Sequence, residues 1–240
     1  MKKYFCIFLA ALMALSLAAC GGPATPPDGT DPSGNTTEPE PQTGTTTPAQ
    51  QPPVVGELTE EVLRNYPVTP VSDFEYETCE GGIRITNYIG TNDIVVIPET
   101  IDGQSVVEVA AYIFANDSIV RSILLPKSVK ALGKNMFINN KNLEIVIAEG
   151  VESLGDSSFS NCANIKLIML GDNLRIIEEY AFAGCVSLEK LMIPETVTEM
   201  SDDAQNTAFF RSKNLTIYGK AGSYIETVAN EQGIPFVAVD

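Results

Sequence analysis

Glu99, Glu149, Asp172 and Glu195 stand at one phase of a recurring segment, each just beyond a short aliphatic run. Carboxylates brought together could serve as the acid and base of glycoside hydrolysis, or supply the converging oxygens that a hard cation requires. Positions just past a strand are also where solvated loop edges carry charge. The row is therefore read first as a solubility feature, and Asp202 and Asp203 read the same way. Downstream of Cys20, the other reactive side chains are the thiols of Cys79, Cys162 and Cys185. Cys162 and Cys185 lie 23 residues apart at equivalent phase. Stacking at about 4.8 Å would put them within reach of a disulfide, although parallel ladders also hold identical small residues side by side unbonded. Buried free thiols, a disulfide and a metal pair are the three readings.

The chain of 240 residues contains no histidine. That excludes Ser–His and Cys–His nucleophilic catalysis, His-ligated zinc and the commonest general base. A P-loop, a dinucleotide fingerprint and a C-x-x-C pair are absent as well. No catalytic set, no metal site and no cofactor is expected. Formal charge is −16, and loss of Lys2 and Lys3 with a leader would take it to −18. Such a surface repels nucleic acid and anionic lipid alike. Its ordinary consequence is solubility.

The elements that must carry these residues follow from a repeat. Phe114, Phe137, Phe159 and Phe182 recur at intervals of 23, 22 and 23 residues, and Phe209 follows after 27. A period of this size signals a solenoid, in which no single unit can bury its own apolar face and the stacked units share one core. Each unit holds a short aliphatic run: Ile94–Ile97, Ile123–Leu125, Ile145–Ile147, Ile168–Leu170 and Leu191–Ile193. Runs of this kind, closed by a residue that stops a ladder, read as strands. The third unit reads as one residue short between Leu143 and Ile147, with Ala148 in the place of proline, and Gly171 takes that place in the next. An insertion over Asp202–Thr207 is expected to bulge from the convex side.

The unit resembles the BspA-like class of bacterial leucine-rich repeats, L-x-x-I-x-(I/L)-P-x-x-V-x-x-I-x-x-x-A-F-x-x-C-x-x-L, and the stretch AFAGCVSLEKLMIPETVTEM from Ala181 to Met200 matches it nearly position by position. The resemblance runs from about Phe74 to the C-terminus. It implies an α/β solenoid of short parallel strands, stacked with turns and short helical or 3-10 segments, with capped ends. Repeats are placed at 74–215. Residues 57–73 are read as an N-terminal capping segment, with a brief helix over Leu58–Asn65 packing on the first unit, and 216–240 as the C-terminal cap. In that cap, Ser223–Gln232 fits an amphipathic helix ending at Gly233, with Tyr224, Ile225, Val228 and Ala229 turned inward.

Ahead of the repeats, Lys2 and Lys3 precede an apolar run from Tyr4 to Ser16, too short for a permanent span, and Leu17-Ala18-Ala19-Cys20 resembles a lipobox. Resemblance to bacterial lipoproteins implies a signal peptide over 1–19, cleavage before Cys20 and acylation of that residue. Acylation by two or more chains would hold the protein stably on a membrane. An ordinary signal cleaved near Ala19 would instead release a soluble secreted protein. Residues 20–56 add a Pro/Thr-rich tether with almost no bulky apolar side chain before Val54, a composition that stays disordered. Its 36 residues from Gly21 could reach roughly 120 Å.

Strand alternation nominates Val96, Leu124, Val146, Met169 and Met192 as an outward apolar stripe, with Ser122 and Lys190 at its rim. Contiguous exposed apolar area often marks a contact site. The competing readings are that these residues serve β-propensity alone, or that a neighbouring segment covers them. The sequence as a whole points to a lipid-anchored module on the extracellular face of a bacterial membrane. It would bind an extracellular protein or glycan, and the resemblance implies adhesion. The alternative is a structural or accessory envelope lipoprotein without a host ligand.

Overall fold

The computed structural model describes residues 58–200 and 208–239. The leader, Cys20, the tether, Asp202, Asp203 and the insertion lie outside the described residues. The described residues open with helix α1 (Glu60–Arg64) and a 3-10 turn at Val71–Asp73, then an antiparallel hairpin of β1 (Phe74–Cys79) and β2 (Gly82–Tyr88). β3 (Ile94–Val96) starts the coils, and a short antiparallel pair follows, β4 (Thr100–Ile101) with β5 (Gln104–Val109). From there each coil carries two short strands. They are β6 (Ser122–Leu124) with β7 (Ala131–Leu132), β8 (Ile145–Ala148) with β9 (Ser153–Leu154), and β10 (Leu167–Leu170) with β11 (Ile176–Ile177). β12 (Lys190–Met192) with β13 (Glu199–Met200) makes the fourth such coil. β14 (Thr216–Lys220), helix α2 (Tyr224–Gln232) and β15 (Phe236–Val239) close the chain.

Stacking of the coils produces two parallel ladders. β3, β6, β8 and β10 form one, and β7, β9, β11 and β13 form the other. β12, β14 and β15 make a third parallel group beyond β10. Parallel pairing fixes the phase of every coil. Val146 lies level with Ile123 and Ile168, and Ala148 with Leu170. No residue is missing from the third unit, then: Ala148 occupies an inward aliphatic position, and Glu149 follows it where other units carry proline.

The core is a column of aromatic rings. Phe114, Phe137, Phe159 and Phe182 are wholly buried. Successive centroids lie 5.6, 5.2 and 5.7 Å apart with planes within 13° of parallel, and Phe209 continues the column at 5.6 Å. These separations exceed the spacing of adjacent strands of about 4.8 Å, so each ring is slipped over the next in the offset arrangement that aromatic quadrupoles prefer. Tyr88 and Phe74 extend the column into the hairpin with tilted rings.

The turn side departs from the expected helical or 3-10 segments. Among the described residues, helix is confined to α1, the Val71–Asp73 turn and α2, all outside the coils, and the fold is a β-solenoid rather than an α/β one. The reason lies in the amides. The N–H of Phe137 donates to Ser158 O of the next coil at 2.8 Å, that of Phe159 to Ala181 O at 2.8 Å, and that of Phe182 to Ala208 O at 2.8 Å. The amides between them, such as Ser158 and Ser160, donate three residues back within their own coil. A continuous helix would need every amide for itself. Left-handed φ values at Asn116, Asn135, Asn139, Ser157, Asn161 and Tyr180 produce this alternation, and asparagine tolerates that region better than most residues.

Side chains reinforce the turns. Asn139 Nδ2 donates to Asn116 Oδ1 at 3.1 Å, and Asn161 Nδ2 to Asn139 Oδ1 at 3.0 Å. The row ends at Gly184, where φ is +70° and an added Cβ would come within 2.6 Å of Asn161 Oδ1. A second, buried column runs through Cys162, Cys185 and Ser212. The two thiols donate to the carbonyls of Phe137 and Phe159 at 3.0 and 3.2 Å, and Ser212 Oγ to that of Phe182 at 2.6 Å. Both cysteines are free thiols, as is Cys79.

At the C-terminal end α2 packs Ile225, Val228 and Ala229 against the last coil, with Tyr224 partly buried, and Gly233 ends it in the left-handed region at φ +67°.

Candidate binding surface

Strand geometry sorts the first ladder into an inward row and two outward rows. Val95, Ile123, Val146, Ile168, Leu191 and Ile217 all belong to the main core. Outward stand Ile94, Ser122 and Ile145 in one register row, and Val96, Leu124, Ile147 and Met169 in the other. Four of the five stripe residues are thus on the outward face, and Val146 is not. Its side chain is wholly buried in the core and Ile147 takes its place. The run Ile145–Ala148 is apolar at every position, so it offers no alternation from which to read phase, and a one-residue shift exchanges the faces.

Most of that outward surface is covered. Leu63 of α1 is completely buried and forms a second apolar cluster with Ile94, Val96, Ile145 and Ile147, separate from the Phe column. Leu58, Tyr66, Leu124, Leu167 and Met169 pack around it. α1 packs on the first unit through Leu63, which meets Ile94 and Val96, and it reaches over β6 along the face of the sheet. Its local logic is complete. Thr59 is the N-cap, its side chain accepting from Val62 N at 3.3 Å. Leu58 and Leu63 hold the two positions of a hydrophobic staple across that cap. Glu60 and Glu61 stand in the first turn and Arg64 in the last, as the helix dipole favours.

Arg64 fastens the helix to the sheet. Its Nη2 lies 2.5 Å from Glu149 Oε1 and its Nε 2.8 Å from Glu60 Oε1. The same Nη2 approaches Met169 Sδ at 3.7 Å. Lys127 Nζ meets the other Glu149 oxygen at 3.2 Å. The hydrogen bond from Arg64 holds the Glu149 carboxyl below its ordinary range, and Glu149 in turn raises the Arg64 guanidinium. Beyond the helix, Thr69 and Val96 exchange hydrogen bonds: Thr69 N to Val96 O at 3.0 Å, and Val96 N to Thr69 Oγ1 at 2.9 Å. Residues near Thr69 thereby pair with the outer edge of β3. Burial of Leu63 contributes about 1.5–3 kcal/mol, and a half-exposed ion pair such as Arg64–Glu149 at most about 1 kcal/mol. With one buried side chain in a five-residue helix, α1 belongs to the weakly held part of the molecule.

The cover stops before β12. Met192 is 49% exposed, and Lys190 beside it is exposed, with Thr216 and Tyr218 half-buried on β14. Next to Met192 lies an open groove of about 410 Å³ lined by Leu170, Ile193, Pro194, Gly219, Lys220 and Val239. The outward face thus passes from covered aliphatic residues at β3 to bare mixed surface at β12 and β14. Of the expected rim, Lys190 is in place. Ser122 is wholly buried, its Oγ donating to Arg121 O at 2.8 Å.

The acidic row does not converge. Glu149 is paired with Arg64 and Lys127, and Glu195 with Lys220 at 2.6 Å. Asp172 presents its carbonyl to Arg175. Among the described residues no group of three or more Cys, Asp or Glu is placed to hold a metal ion. Burial pushes the Cys185 thiol up to about 12 and the Cys162 thiol well above the ordinary range, which makes both poor nucleophiles.

The seat of Leu63, with Ile147 and Glu149 at its edges, escaped the repeat pattern. A signal for it exists: strands apolar on both faces require a cover on each, and Leu58, Val62, Leu63 and Tyr66 are apolar residues just ahead of the solenoid.

The repeat geometry has counterparts among known proteins. Six copies of the BspA type leucine-rich repeat region match residues 95–216. A leucine-rich repeat protein of T. pallidum has 28% identity and a TM-score of 0.59, over 63% of this chain and 71% of that one. Another from Bacteroides ovatus has 24% identity and a TM-score of 0.51, over 62% of this chain and 46% of that one. The chain thus spans less than half the length of the second. No curated protein matches it. With six copies of its unit recognised over half its length and the same stacked coils in space, the chain belongs to the BspA-type leucine-rich repeat family.

Proposed function

We propose that this chain is a non-catalytic binding module held on the extracellular face of a bacterial membrane by lipid on Cys20. In this reading its sheet face contacts an extracellular protein or glycan. The observation that carries the reading is the bare part of the face, where exposed Met192 adjoins the groove beside Leu170 and Pro194. Val96, Leu124 and Met169 belong to the same outward surface, under or beside α1. The dispersed acidic row, with its coil-to-coil cations, favours contact over hydrolysis. Adhesion is the use such a surface would have on a cell.

The test is capture of extracellular matrix proteins and glycans by the chain with Cys20→Ser, compared with the same chain carrying Met192→Lys. Loss of capture in the variant supports the reading. Equal capture removes the bare face from it. Recovery of nothing but envelope proteins of the same cell would favour an accessory envelope role.

A further inference from the structure

We propose that the seat beneath α1 is a binding site for a short amphipathic helix from another protein, with α1 as the chain's own occupant of it. This rests on the reading of the sheet face as a contact surface and names the class of partner that fits it.

The seat has a shape. In one register row Ile94 and Ile145 flank Ser122, so a small side chain sits between two large ones. Ser122 turns its Oγ back to Arg121 O and is nevertheless completely buried, although it faces outward. The notch it leaves lies under α1, where Leu63 packs among Ile94, Val96, Ile145 and Ile147. The seat also has a polar rim. Glu149 receives the guanidinium of Arg64, the residue directly after the buried leucine, and Met169 Sδ lies against the same nitrogen. A branched aliphatic residue followed at once by a cation, on a single N-capped helical turn, is therefore what this site accepts.

The present occupant is short. A helix of five residues cannot sustain itself in water, and only Leu63 of α1 is fully buried. Its other holds are the half-buried Leu58 and Tyr66 beside the helix and an ion pair whose arginine is 35% exposed. Competition for such a seat follows population arithmetic: an external peptide binds more weakly by the fraction of molecules whose own helix has vacated it.

The probe is a fluorescein-labelled, N-acetylated peptide with the sequence from Leu58 to Pro70, added to the chain with Cys20→Ser. Binding is read by anisotropy, and folding is checked by circular dichroism. With Leu63→Asp in the protein, the peptide is expected to bind at least about tenfold more tightly than to the unsubstituted chain. Adding Ile147→Lys to Leu63→Asp should abolish that gain, and a peptide carrying Arg64→Ala should bind several-fold more weakly. Arg64→Glu in the protein is the milder opening variant should Leu63→Asp fail to fold. The proposal is overturned if the folded opening variant gains no affinity, or if Ile147→Lys leaves the gain intact. Met192→Lys separates this outcome from the broader reading. Peptide binding with no extracellular capture removes the broader reading alone. Capture that depends on Met192, without peptide binding, removes the helix site alone.

Discussion

Arg64 and Glu149, one on a five-residue helix and the other at the end of a core strand, meet at 2.5 Å and tie the start of the described chain to the middle of the solenoid. Around this pair the outward sheet face divides into a part the chain covers itself and a part it leaves open.

The pair makes α1 sensitive to acid. Arg64 holds the Glu149 carboxyl below its ordinary value of 4.5. A depressed carboxylate contributes stability above that value, and the contribution is lost as pH falls through the folded-state value. Amide exchange over residues 60–66 should therefore accelerate below about pH 4.5 relative to Glu149→Gln at the same pH. At pH 7 Glu149→Gln itself should speed exchange there by up to about fivefold, the equivalent of about 1 kcal/mol. Equal exchange in the two proteins at pH 7 would show that the ion pair does not hold the helix.

The aromatic column sets the stability of the coils. Phe159 lies between Phe137 and Phe182 and is wholly buried. Phe159→Ala should cost about 3–5 kcal/mol, read as a lower urea midpoint. A cost below about 1 kcal/mol would mean that the neighbouring coils close over the gap.

The thiol column yields a chemical contrast. Cys185 donates to Phe159 O where Ser212 donates to Phe182 O in the next coil. Cys185→Ser should cost under about 1 kcal/mol, whereas Cys185→Val removes one of the two bonds to Phe159 O, which keeps the one from Cys162 N at 3.1 Å, and should cost about 0.5–1.5 kcal/mol. Both buried thiols should resist Ellman's reagent at pH 8 until urea unfolds the chain. Their folded-state values are raised, so their contribution is complete below the ordinary value of 9.0 and fades as pH rises toward about 12 for Cys185. Urea midpoints between pH 8 and 11 should fall less for a Cys162→Ser/Cys185→Ser double variant.

Asparagine at the turns is required by backbone conformation. Asn139 has φ +58° and bridges the amides of Asn116 and Asn161. Asn139→Val should cost about 2 kcal/mol or more, through the left-handed backbone and the lost bridge together. Asn139→Gly, free of the first penalty, should cost less. The reverse order of thermal midpoints would refute this account.

The spacing of the phenylalanines carries the solenoid plainly, because one buried ring per coil must return at the coil's own period. Helix α2 is equally readable from Ser223, its apolar face and Gly233. The phase of β8 is hidden, since Ile145, Val146, Ile147 and Ala148 are all apolar and all buried, two rows toward the Phe column and two toward α1 or its neighbours. The turns were expected to be helical because their amide partners in the next coil are more than twenty residues away, beyond any local pattern. The position of α1 is a matter of long-range packing, and five residues carry too short a pattern to say which surface they cover.

The placement of α1 also has a mechanical consequence. A force applied at residue 58 loads the Leu63 seat, the Arg64–Glu149 pair and the paired bonds of Thr69 with Val96 before it reaches the first strand of the hairpin. Those contacts load one after another, as in peeling, while the coils behind them share load through whole ladders. A pull on the N-terminal side therefore uncovers the sheet face long before it unravels the solenoid.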